Sequence, residues 1–275
     1  MMRIPKSREL PVLVLLVMRI PLVATVNNAA LYPITRINIL NASLLMLLLA
    51  IGQMFVMLTC SIDVSVGATA GVSAVIFGFA LNAGLPLPPA MLAALITGLL
   101  CGMANGLGVA FVGIRSIIMT LVTLGVDRSL MRVLTGGSRI ETIPQNIKSF
   151  AVTRHLSVPL MVWTMVVVVI VVAILLWKLK PARYFGAVGD KYDGAYLLRI
   201  NVKMTRFWAF SLAGLFAGAA AVVYIGQVGF VPMQTSNGQE LKAIAPVVLG
   251  GVSLMGGTGS IWSAVIGALF QTAVA

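Results

Sequence analysis

The residues of this chain that could do chemistry are few, and their spacing narrows what that chemistry is. His155 is the only histidine, and no cysteine or carboxylate cluster surrounds it, so neither a metal-ligand set nor a nucleophilic triad can be assembled. Cys60 and Cys101 lie in or beside apolar runs without CxxC spacing, which reads as packing rather than as a disulfide or a zinc site. The glycine-rich segment LGGVSLMGGTGS, Leu249 to Ser260, carries no lysine, and the spacing of Gly257 and Gly259 ends on Trp262 instead of a third glycine. Both phosphate-binding fingerprints therefore fail, and a tight turn between packed helices explains the glycines better. We assign no catalytic residue, no metal and no cofactor, and expect a chain that is not an enzyme.

Polar residues embedded in apolar runs are the other candidates. Asp63 is the only acid between Leu10 and Val112, in IDVSVGATAG. Its carboxylate is placed to cap the following helix, and equally to line a polar break at membrane depth, where ionisable groups usually serve function. Ser65 beside it, and Asn105 in CGMANGLGVAFVG, add a hydroxyl and an amide able to hydrogen-bond a neutral polar solute or a neighbouring helix. Asp63, Ser65 and Asn105 are the candidate translocation pathway. Gly67 and Gly71 have the small-xxx-small spacing that lets helices approach closely.

The elements that must position these residues follow from composition. The chain is 60% hydrophobic and 9% charged over 275 residues. Its mean hydropathy is +1.05, and a soluble domain carries about a quarter of its residues as charges. This predicts an all-α, polytopic membrane protein, with one membrane domain over residues 1–275 and room for some eight or nine spans of about 20 residues. Apolar windows place nine: Leu10 to Ala30, Leu40 to Thr59, Val64 to Leu81, Pro88 to Val112, Ile117 to Leu134, Val158 to Trp177, Phe207 to Gly226, Ala243 to Leu254 and Ile261 to Ala275. The eighth is short, as expected of a broken or protein-buried helix. The last run is apolar to its final residue with no anchor beyond it, so about nine spans of an expected ten or so are present and the C-terminus reads as truncated.

Charge sets the orientation. The 19 Lys+Arg exceed 7 Asp+Glu, but no basic run with interleaved aromatics points to nucleic acid; the excess fits orientation and contact with membrane lipid. Arg3, Lys6, Arg8, Arg115 and the basic residues from Lys178 to Arg206 fall on the N-terminal side of the spans, outnumbering those opposite. The N-terminus is therefore expected in the cytoplasm. So is the one long polar stretch, residues 178–206, which interrupts two apolar runs as a surface offered to a partner would. Within it, Asp190 and Asp193 would sit at the favourable end of a short helix running on through Gly194 and Ala195, parallel to the membrane surface. No carboxylate pair recurs within a span, so the chain holds no proton relay and no visible energy source of its own.

From about Leu44 to Ala268 the sequence resembles the membrane subunits of bacterial ABC importers of the ribose/arabinose type. The resemblance rests on VMLTCSIDVSVGATAG, LNAGLPLP, LTGG, GDKYDGA and GQVGFVPMQTSNGQELKAIAPVVLGGVSLMGGTGSI, and the segments SIDVSVG and GQVGFVP favour the autoinducer-2 branch. It implies a bacterial inner-membrane permease that carries autoinducer-2, working with two ATP-binding subunits, a second permease subunit and a periplasmic solute-binding protein. It further implies that Gly189, Asp190, Asp193, Gly194 and Ala195 couple to the ATPase. The alternatives are a ribose- or xylose-type monosaccharide permease and, beyond these, an ATP-independent channel or an inactive truncated permease. The chain departs from the family pattern at Lys191, usually Asn; at Arg199, usually Gly; and at Val122, Asp127 and Ser129, where Gly, an aromatic and Gly are usual.

Overall fold

The computed structural model describes residues 32–141, 153–155, 158–179, 182–190, 192–232 and 238–274, together with Val14. The first expected span, Leu10 to Ala30, lies otherwise outside the described residues. Among the described residues the regular elements are helices, apart from one antiparallel pair, β1 (Arg154–His155) with β2 (Val158–Pro159), and an isolated bridge between Ile140 and Val231. The helices are α1 (Pro33–Leu58), α2 (Val66–Asn82), α3 (Leu87–Leu107), α4 (Ser116–Thr135), α5 (Leu160–Lys178), α6 (Ala182–Asp190), α7 (Tyr192–Leu197), α8 (Val202–Val228), α9 (Gln239–Leu249) and α10 (Ile261–Val274). Among the described residues, segments within α1, α5 and α8, and α3 with its C-terminal extension, are long and apolar enough to cross a membrane, whereas α2 and α10 are apolar but shorter.

In a bilayer these helices gain little from hiding apolar surface from lipid, so close backbone packing has to hold them together. The centre of the bundle shows how. Gly98, Gly102 and Gly106 recur every four residues along α3 and face α8, where Gly214 and Gly218 oppose them. A Cβ at Gly98 would lie 2.2 Å from the Gly214 carbonyl oxygen, and one at Gly102 would lie 2.3 Å from that of Phe210. Around this crossing, Leu49, Ile51 and Met54 of α1 pack among Ala217 and Ala220 of α8 and Ala264 and Ala268 of α10.

Two features set the depth of the site. After α1 ends, residues 59–65 run as a non-helical segment that folds back, so that Asp63 meets Gln53, more than a turn before the end of α1. Helix α2 thus starts inside the bundle, which accounts for its 17 residues. At the end of α3 the backbone widens into a π-helical turn, Gly108–Val112, closed by Gly113 at φ 86°. Such widened turns re-aim the side chains that follow.

Three expectations need correction. Helix α9 spans Gln239–Leu249 rather than Ala243 to Leu254, because Glu240 supplies an acid to its first turn and Gly250 ends it. The segment expected as one helix starting near Asp190 is two: Asp190 closes α6, and α7 carries Asp193, Gly194 and Ala195. Cys60 is exposed, not packed, and holds φ 58°, a left-handed conformation at the turn out of α1.

Candidate functional site

The three polar residues singled out between Leu10 and Val112 meet in one hydrogen-bond chain. Thr123 on α4 donates through Oγ1 to Asn105 Oδ1 at 2.6 Å, and Asn105 Nδ2 donates to Ser65 Oγ at 2.8 Å. Ser65 Oγ donates in turn to Asp63 Oδ1 at 2.7 Å, and the Ser65 N–H reaches the same oxygen at 2.8 Å. Every donor in the series points toward the carboxylate, which ends the chain as an acceptor. From α1, the Gln53 amide brackets the Asp63 backbone, its nitrogen 3.1 Å from the carbonyl and its oxygen 3.2 Å from the N–H. Thr120 Oγ1 accepts from the Val64 N–H at 3.1 Å.

Asp63 is 2% exposed, and Gln53, Ser65 and Asn105 are fully buried. These side chains therefore tie α1, α2, α3 and α4 to the fold-back segment and present no open surface. The arrangement holds four helices in register. Asn105→Leu should remove one hydrogen bond from each of the Ser65 and Thr123 hydroxyls, which keep their bonds to Asp63 and to the Met119 carbonyl, at about 0.5–1.5 kcal/mol for each bond lost. Thermal unfolding of the detergent-solubilised protein should show a clear drop in Tm, whereas an unchanged Tm would mean that the chain is not structural.

A second polar layer was not visible in the sequence. Asp127 on α4, 3% exposed, accepts through Oδ2 from Thr69 Oγ1 on α2 at 2.9 Å; the departure from an aromatic at this position is accommodated by a hydroxyl facing it. One residue on, Arg128 pairs with Glu240 of α9 at 2.9 Å, the arginine side chain 36% exposed and the glutamate 6%. Glu240 packs against Gly67, where a Cβ would come within 3.2 Å of it. Partners so far apart in sequence leave no local pattern; only the acid in the first turn of α9 was a hint.

At one end of the bundle the expected coupling segment is seated on backbone. A Cβ at Gly189 would lie 1.9 Å from the Leu58 carbonyl oxygen and 2.5 Å from the Gly257 nitrogen. The Gly257 N–H itself donates to Leu58 O at 3.1 Å. Gly256 and Gly257, at φ 80° and 78°, turn the loop between α9 and α10 so that it touches Cys60, Gly189 and Asp190. The glycine-rich segment is thus a clamp that joins the end of α6 to the end of α1. Ala195 is buried with Val188, Ile200 and Val202, so α6, α7 and the start of α8 form one small cluster. Gly194 is half-buried, and Lys191 lies outside the described residues. Arg199 holds φ 55°, which a glycine would adopt without the Cβ penalty, a physical reason for the usual glycine there.

The same end contains a cavity of about 560 Å³ between the π-helical turn and the starts of α4 and α8, with Cys60, Ser61, Arg115 and Arg206 among its lining residues. At the opposite end, Ile140 and Val231 pair through their backbones. Among the described residues the two ends differ in kind, one built of short helices and a glycine clamp, the other carrying this bridge and the β1–β2 pair.

Long apolar helices packed through glycines, a fold-back segment inside the bundle and a surface cluster of short helices define a multi-pass membrane permease. The chain belongs to the family of branched-chain amino acid transport system permease components, whose match covers residues 35–274. It is 41% identical over 271 residues to the autoinducer 2 import system permease protein LsrC of Salmonella typhi, covering 98% of this chain and 78% of that one. The protein of the same name from Escherichia coli (strain K12 / DH10B) is also 41% identical over 271 residues, covering 98% and 79%. That of Yersinia pestis (strain Pestoides F) is 44% identical over 236 residues, covering 86% and 67%. No solved structure matches the chain. The chain is accordingly a transport subunit.

Proposed function

We propose that this protein is the membrane-spanning subunit of an inner-membrane ABC importer that carries autoinducer-2, energised by separate ATP-binding subunits. The observation that carries the reading is the seat of α6, a short helix whose backbone at Gly189 bears directly on the end of α1 while α7 packs beside it, together with relatives that are named for autoinducer 2 import. Two ATP-binding subunits would receive the α6–α7 cluster that carries Gly189, Asp190, Asp193, Gly194 and Ala195 on the cytoplasmic face, with the N-terminus on that side. A second permease subunit would complete the pathway, and a periplasmic binding protein would deliver the solute. Closure of the ATPases on ATP moves α6 and α7, and contact of Gly189 with Leu58 passes that movement to α1. A differential grip on these helices in the open and closed ATPase is what shifts the permease between states.

The buried chain from Thr123 to Asp63 lets this work by keeping α1 to α4 together, so that movement at one end is carried as a body and not lost in local repacking. Asp63, Ser65 and Asn105 serve the pathway through that frame. The cargo is tested in cells whose sole importer contains this chain: labelled autoinducer-2 should accumulate, and excess unlabelled ribose or xylose should not reduce it. Uptake of labelled pentoses alone would replace the cargo while leaving the class.

A further inference from the structure

The cavity at the α6 end of the bundle is chemically one-sided. Arg115 and Arg206 both line it, and among the described residues no acid does. Two guanidiniums in one cleft repel each other and draw an anion to themselves. The Arg115 side chain is exposed and makes no hydrogen bond or ion pair among the described residues.

Ser61 supplies an independent sign. It lines the cavity and is 5% exposed, yet its hydroxyl has no hydrogen-bond partner among the described residues. A polar group buried in this way calls for a ligand atom. Ser116 Oγ accepts from the Ile62 N–H at 3.3 Å and keeps its own proton to give. No side chain caps the start of α4 at the same cavity, and an uncapped helix N-terminus favours an anion. The groups collected here are donors, as an oxyanion such as a phosphate requires.

The mouth of the cavity selects among anions. Ile114, Ile117 and Ile118 line it and are also exposed, and Leu121, three to four residues further on, continues the exposed apolar strip along α4. A soluble anion has no use for such a strip, whereas a phospholipid lays its chains against it. The volume of about 560 Å³ suits a headgroup. Basic pockets between spans, at the membrane surface, are where acidic headgroups lodge.

We propose that this cavity binds the headgroup phosphate of an anionic phospholipid, held by Arg115, Arg206, Ser61 and the start of α4, with the acyl chains along Ile117, Ile118 and Leu121. That the leaflet is the cytoplasmic one rests on the transport reading; the chemistry of the site does not. Occupancy braces the segment just after Leu58, the residue on which Gly189 bears.

Cys60 is exposed and lines the cavity, so it reports occupancy. The full chain carrying Cys101→Ser is placed in nanodiscs of phosphatidylcholine with increasing phosphatidylglycerol, and alkylation of Cys60 by neutral N-ethylmaleimide is timed. Phosphatidylglycerol should slow the reaction, and phosphatidylcholine alone should not. Arg115→Gln should raise the phosphatidylglycerol fraction needed for half protection about fivefold, the factor for one cation beside an anionic headgroup. Arg115→Lys should keep the protection, and so should Arg183→Gln, an exposed basic position at the same end but outside the cavity. Equal rates in both lipids, or the same loss from Arg183→Gln as from Arg115→Gln, overturns the proposal. So does equal protection by inorganic phosphate or glycerol 3-phosphate in phosphatidylcholine discs, which would make the occupant a free anion. An error in orientation shows separately: Cys60 would then react from outside intact cells with an impermeant reagent, while protection by lipid stayed the same.

Discussion

Gly189→Ala should abolish most ATP-driven uptake while leaving the protein in the membrane at its normal level. The added methyl would sit 1.9 Å from the Leu58 carbonyl oxygen and 2.5 Å from the Gly257 nitrogen. Both obstacles are backbone, so no side chain can turn aside and α6 must lift away from α1. Overpacking of this kind costs about 1–3 kcal/mol. It falls here on surface helices and not on the centre of the bundle, so the fold survives and the contact is lost. We expect uptake per molecule of permease to fall at least about tenfold, the effect of roughly 1.4 kcal/mol on a coupling equilibrium. Quantitative immunoblotting beside the uptake assay separates this from instability. A parallel fall in protein and uptake would mean that Gly189 matters only for folding.

Gly214→Val should instead remove the folded protein. The α3–α8 crossing has backbone on both sides: a Cβ at Gly214 would lie 2.1 Å from the Gly98 carbonyl oxygen and 2.8 Å from the Gly102 Cα. Separating the two longest-packed helices opens the crossing along Gly98, Gly102 and Gly106 together, so the loss should reach or exceed about 3 kcal/mol, the upper part of the range for overpacked sites. Size-exclusion profiles of the detergent extract should lose the monodisperse peak. Gly125→Val is the matched control, because nothing lies within 4 Å of its Cβ, and it should keep that peak.

What the sequence disclosed and what it hid divide along physical lines. Spans are local: apolar windows are read from composition, and α1, α3, α5 and α8 fall where they were expected. Polar residues in such windows are also conspicuous, which is why Asp63, Ser65 and Asn105 could be picked out before anything joined them. Their joining was hidden, because the chain runs through Thr123 and back to Gln53, and no spacing rule links a loop to three helices. The Arg128–Glu240 pair was hidden for the same reason. Glu240 stood in a segment whose charges made it look like the approach to a helix, so the start of α9 was placed too late.

The surface helices show the opposite error. Asp190 and Asp193 suggested one helix with acids at its start, but Gly189 and Asp190 belong to the end of α6, fixed there by contact with Leu58 and Gly257. Local charge preferences are worth a few tenths of a kcal/mol to about 1. A backbone contact that no side chain can relieve outweighs them. The glycine-rich segment likewise read correctly as a turn, yet its partner across the fold, the end of α6, could only be seen in three dimensions.

The central claim is that ATP consumed by partner subunits moves autoinducer-2 through this chain. The most direct measurement is uptake of labelled autoinducer-2 into proteoliposomes that contain the permease with its second permease subunit, its ATP-binding subunits and the binding protein. The account predicts accumulation above the external concentration with hydrolysable ATP, none with a non-hydrolysable analogue, and no comparable accumulation of labelled ribose or xylose. Equilibration that proceeds equally without ATP would contradict it.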